Sequence, residues 1–95
     1  MAAVERESVA SVALRLPERV TFDSQPYTYG AVLVDLEPAG SYNGHPMVSG
    51  RVLEGEQRSF LWGHTASKSI AGQRVTIYGV KQWELDRGHI VRVAS

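Results

Sequence analysis

The chain has 95 residues, ten basic and ten acidic, with 43% hydrophobic residues and no cysteine. That length holds one domain with one core, and the composition excludes a disordered chain. The missing cysteines exclude disulfides, thiolate metal sites and a cysteine nucleophile, and zero net charge counts against a strongly electrostatic nucleic-acid binder.

No apolar run is long enough to span a membrane, and the opening Met1–Glu7 carries mixed charge with no apolar stretch behind it. The expectation is a cytoplasmic protein of one domain, 1–95, with no membrane contact. Residues 1–10 read as a frayed tail and 11–95 as the folded unit. Charge divides along the chain: residues 1–57 hold eight acidic against four basic residues, and residues 58–95 hold six basic against two acidic. Interleaved strands would mix those halves on the surface.

Residues 4–16 fit two periods. Val9, Val12, Ala13 and Leu16 have helical spacing, and Val12, Leu14 and Leu16 have strand spacing. The β-branched residues favour a strand over Ser11–Leu16, which Pro17 ends. Glu18–Phe22 reads as a short strand, and Asp23-Ser-Gln-Pro26 as a turn. Tyr27–Leu36 is the strongest strand pattern, apolar on both faces. Glu37–Pro46 reads as a long loop with a tight turn at Asn43-Gly44.

Met47–Leu53 is the next strand, with a hairpin turn at Glu54-Gly55-Glu56 leading into Gln57–Trp62. His64–Ala71 is the one internal stretch with helix signals: Thr65 or Ser67 as N-cap and Gly72 just past its end. Arg74–Tyr78 alternates as a strand with Val75 and Ile77 inward, and Gly79 marks a bend. Asp86-Arg-Gly88 is the last turn, and His89–Val93 closes the sheet. The predicted fold class is all-β, a small barrel of five or six strands with one short helix between the third and fourth main strands.

The strand around Tyr29–Leu36, the hairpin Met47–Trp62, the insert His64–Ala71, the run Gly72-Gln-Arg-Val-Thr-Ile-Tyr-Gly79 and the strand Ile90–Val93 together resemble an OB-fold. That resemblance covers about 65 residues at the level of pattern, and an SH3-like barrel, with a 3₁₀ turn instead of the helix, shows a similar layout. It implies a ligand face on Met47–Leu53 and Gln57–Trp62, flanked by the loops Glu37–Pro46 and Gln82–His89. Those pieces bring together Tyr42, Arg51, Arg58, Phe60, Trp62, Trp83, Arg87 and His89 as candidate nucleic-acid-binding residues. Rings stack on bases and cations meet phosphates, so such a set suits a single strand. Phe60 and Trp62 also alternate on one strand face, and read for packing alone that face is core. Tyr42 and Trp83 lie among polar residues and are expected at the surface.

Other constellations are weaker. Gly63–Ser69 has a P-loop-like Lys68 but lacks the second glycine before it. His45, His64 and His89 lack metal-ligand spacing, and no nucleophile elbow surrounds any serine. The pairs Asp35/Glu37 and Glu84/Asp86 read as solubilising charge. The expectation is a binding module that is not an enzyme and carries no cofactor or metal. One reading has it bind single-stranded DNA or RNA. The other makes it an accessory protein that docks onto a protein partner or self-associates.

Overall fold

The computed structural model describes residues 14–93. In chain order they form β1 (Arg19–Gln25), β2 (Thr28–Tyr42), β3 (His45–Leu61), β4 (His64–Ser69), β5 (Arg74–Tyr78), α1 (Gln82–Arg87) and β6 (His89–Val93). The hydrogen-bonded path is β4-β3-β2-β1-β6, with β5 added to β3. Neighbours are antiparallel except β6, which returns parallel beside β1. The chain is therefore mostly β with one short helix. Among the described residues no ladder joins β5 to β6, so the sheet is not closed. No described helix is long and apolar enough to cross a membrane.

The core gathers Val20, Ala31, Leu33, Val48, Val52, Ile70, Ile77, Val80, Leu85 and Ile90, with Leu14, Leu16, Phe22, Leu36 and Val75 packed against it. Each fully buried aliphatic contributes about 1.5–3 kcal/mol, so these side chains hold the body together. All of them lie in or beside the body strands and α1. Among the described side chains of β3 the last buried residue is Val52.

β3 is the spine of the molecule. Its first part, Met47–Arg51, pairs with β5, and its last part, Glu56–Leu61, pairs with β4 on the same edge. Seventeen residues at about 3.3 Å each span roughly 50 Å, close to the 55 Å long axis of the molecule. The hairpin turn expected at Glu54-Gly55-Glu56 does not form. Gly55 lies instead where β3 passes close over β2, and a Cβ there would sit 2.7 Å from the Ala31 Cα. The glycine serves close approach of two backbones rather than a reversal of direction.

Other expectations change for local reasons. His64–Ala71 is not helical: residues 64–69 form β4, because Trp62 and Gly63 both have positive φ (55° and 76°) and reverse the chain as a two-residue hairpin. The helix lies at 82–87, inside the expected loop Gln82–His89. The Lys81 N–H donates to Glu84 Oε1 at 3.0 Å, and Gly88 closes the last turn in the left-handed region. The expected loop Glu37–Pro46 shrinks to the Asn43-Gly44 turn, since β2 runs on to Tyr42 and β3 begins at His45. Leu14–Pro17 carries no strand, though Leu14 and Leu16 still pack on the core. The rest of the 1–16 reading lies outside the described residues.

A side chain bridges the open seam. Arg92 of β6 donates to the Tyr78 and Gly79 carbonyls at 3.0 and 3.1 Å, and its guanidinium meets the buried Glu84 carboxylate of α1 at 2.7 Å. Burial by itself would raise the Glu84 carboxyl, but the bonds from Arg92 and the Lys81 N–H hold it below its usual value. Its contribution to stability is therefore complete above the unfolded carboxyl range and is lost as pH falls through the lower folded value. Arg92→Met is expected to destabilise the protein by about 2–4 kcal/mol at neutral pH, because it strands a buried carboxylate. That penalty should shrink below about pH 4. Urea titrations at both pH values check this.

Candidate functional site

The last part of β3 and all of β4 form a two-stranded arm with no core beneath it. Every described side chain from Glu56 to Ser69 is exposed. An isolated two-stranded ribbon is marginal in water, so the arm depends on its root. There Thr28 and Tyr29 of β2 pair with Gln57 and Glu56, and the Arg58 N–H donates to the Tyr27 carbonyl at 2.6 Å. The Arg58 guanidinium lies 4.2 Å from the centre of the Tyr29 ring. Tyr27 and Phe60 meet edge to face, 6.1 Å between centres. The ladder between β3 and β4 runs without a register shift over six pairs, whereas that between β2 and β3 shifts four times.

The arm carries large apolar surface into solvent. Phe60 is 52% exposed and Trp62, at the tip, 86%. The core reading of these two rings is overturned, because β3 extends past the body instead of folding back on it. Trp62 also holds a positive φ of 55°, a conformation that bulky residues rarely adopt and that Asn or Gly takes at lower cost. An open cleft of about 510 Å³ is lined by Tyr27, Gln57, Arg58, Ser59, Phe60, Ala66, Ser67 and Lys68, with no carboxylate among them.

The expected site does not assemble on one face. Arg58, Phe60 and Trp62 lie on the arm. Tyr42 stands at the other end of β3, edge to face with Tyr78 at 5.9 Å. Arg51 is in the body, 2.9 Å from Asp35. Trp83 and Arg87 are together on α1, the guanidinium 4.8 Å from the indole centre and bonded to the His89 carbonyl at 3.0 Å. The His89 Nε2 lies 2.6 Å from Asp23 Oδ2, and Asp23 Oδ1 accepts from the Gly30 N–H at 2.6 Å. Burial raises the Asp23 carboxyl, and the bonds from Gly30 and His89 more than reverse that, holding it below its usual value. This contact fastens β6 to the β1–β2 end of the body.

Charge sorts the molecule in the same way. Arg15, Arg51, Arg74 and Arg92 each face a carboxylate of the body. Among the described residues neither Arg58 nor Lys68 does. The sequence reading left Tyr27 and Tyr29, at the root of the arm, out of the site and placed Lys68 only in a P-loop-like run. Lys68 was visible beside Arg58 once 64–69 is drawn as a strand, and Tyr27 has no sequence signal beyond its place after Pro26. No three described His, Asp or Glu side chains gather where they could hold a metal.

No family model matches the chain, and neither the curated proteins nor the solved structures contain a match.

Trp62→Asn is expected to raise stability by about 0.5–1 kcal/mol, by relieving the left-handed turn without removing any packing. Thermal unfolding of the variant beside the wild type measures it; a loss of stability would mean that the indole packs on the body.

Proposed function

We propose that this chain is a non-catalytic protein-interaction module whose arm docks onto another polypeptide. The observation that supports the reading best is the tip: a fully presented indole, held at a backbone conformation that raises the free energy of the isolated chain. A residue that contributes nothing to its own fold and strains its own turn fits a role in contact with something else. Exposed Trp, Tyr, Phe and Arg on a projecting element have the composition of interface anchors.

Binding of a single nucleic-acid strand is the second reading, favoured by the cleft of rings, hydroxyls and two cations. Stacking is worth about 1–3 kcal/mol per base. The arm nevertheless offers two lysine or arginine cations. They would neutralise about two phosphates, against the six to ten of a strongly salt-dependent binder. The remaining described arginines named above are engaged within the body. Magnitude therefore favours a protein partner. The body, an open and mostly β sheet with Arg92 across its seam, is compatible with either role.

The test places a photoreactive p-benzoylphenylalanine at position 62 and irradiates the cells that make the protein. The expected product is a nuclease-resistant adduct between two polypeptides. A nuclease-sensitive adduct, or no adduct, would contradict the reading.

A further inference from the structure

The outer edge of β4 is the feature of the arm that says most about its partner. The Ile70 N–H donates to the Gly55 carbonyl at 3.1 Å, continuing the β3–β4 register. Strand residues alternate, so Ala66 and Lys68 also turn their backbone groups toward β3. Thr65, Ser67 and Ser69 turn theirs the other way, where no strand lies among the described residues. Natural sheets blunt such edges with bulges, prolines or inward charges. This one is regular and free of proline, and its one fixed charge is Lys68, a side chain of the kind that guards natural edges.

From this edge, and resting on the docking role proposed above, we infer that the arm's partner is a second copy of the same chain, paired β4 against β4 in antiparallel register with Ser67 on the two-fold axis. The edge is self-complementary in that register. Ser67 faces Ser67, and Thr65 faces Ser69 on both sides of the axis, giving three pairs that each exchange two backbone hydrogen bonds. The alternative two-fold register, centred on Ala66, gives two such pairs and sets Lys68 opposite His64. With Ser67 at the centre, Lys68 faces Ala66, and the two lysines become diagonal neighbours about 7–8 Å apart. The same register carries each Trp62 to the level of the Ala71-Gly72 turn of the second copy. Both residues there are exposed, and Gly72 has open space where a side chain would stand. The indole thus gains a seat that its own chain does not provide.

Because the chain has no cysteine, single thiols test the register directly. Facing Ser67 residues would have Cα atoms about 5.5 Å apart, within disulfide range. Two Thr65 residues would be about 14 Å apart. Mild oxidation should therefore cross-link Ser67→Cys into a dimer and leave Thr65→Cys uncross-linked. Sedimentation should show wild-type dimer at least tenfold weakened in Ser67→Pro. In that variant the proline ring blocks the outer edge while the β3–β4 ladder stays intact. Wild-type association should strengthen with added salt, since the diagonal lysines repel; phosphate binding has the opposite dependence. A monomeric wild type, equal cross-linking at positions 65 and 67, or a photoadduct at position 62 only with a different protein would overturn self-pairing. The last result would leave the docking role standing, whereas a nuclease-sensitive adduct would remove that too.

Discussion

β3 is longer than the core that supports it. Val48, Gly50 and Val52 lie against the body, and a Cβ on Gly50 would meet the Leu36 side chain at 2.7 Å. Past Val52 the strand keeps its backbone geometry but loses apolar neighbours. The close crossing at Gly55 lets it continue straight over Ala31 instead of turning back. Once the strand leaves the body, hydrogen bonding has to come from a hairpin partner, and β4 supplies it. The arm follows from that single continuity, and so does the separation of the aromatic residues toward opposite ends of the molecule.

The same geometry divides stability from function. Burial and the Arg92–Glu84 contact belong to the body, and both are satisfied internally. The arm has ladder bonds, a stacked Arg58 and one aromatic pair at its root, which place it at the low end of local stability. Its Trp62 ring and its outer backbone edge are open to solvent. A segment of this kind lowers its free energy by being covered, and the cover that fits it best has the same spacing of donors and acceptors as β4 itself. Arg15, Arg51, Arg74 and Arg92 of the body face neighbouring carboxylates, whereas the arm's own cations are Arg58 and Lys68.

Much of the body was legible in the sequence. Val20 and Phe22 in β1, the alternation of Val75 and Ile77 in β5, the Asn43-Gly44 turn and the Gly88 turn all followed from side-chain period and turn chemistry. The arm was not, for reasons that can be named. Gly55 reads as a turn residue, and only the crossing of β2 reveals its other use. Thr65 and Ser67 serve as helix caps in one context and as small edge residues in another. Trp62 is not a residue that announces a reversal with positive φ. The helix at 82–87 starts from Lys81 with Glu84 reaching back, which lacks the serine or threonine that marks most helix starts. Of the eight residues expected in one site, Arg58, Phe60 and Trp62 do share the arm, but the sheet separates them from Tyr42, Arg51, Trp83, Arg87 and His89, because those belong to other parts of the fold.

Amide hydrogen exchange across β4 as a function of protein concentration measures the central claim most directly. In dilute solution the Ala66 and Lys68 amides, bonded to β3, should be partly protected, and the Thr65, Ser67 and Ser69 amides should exchange freely. On raising the concentration those three should become protected together. Protection that is independent of concentration, or absent at every concentration, would contradict an open edge that a second copy closes.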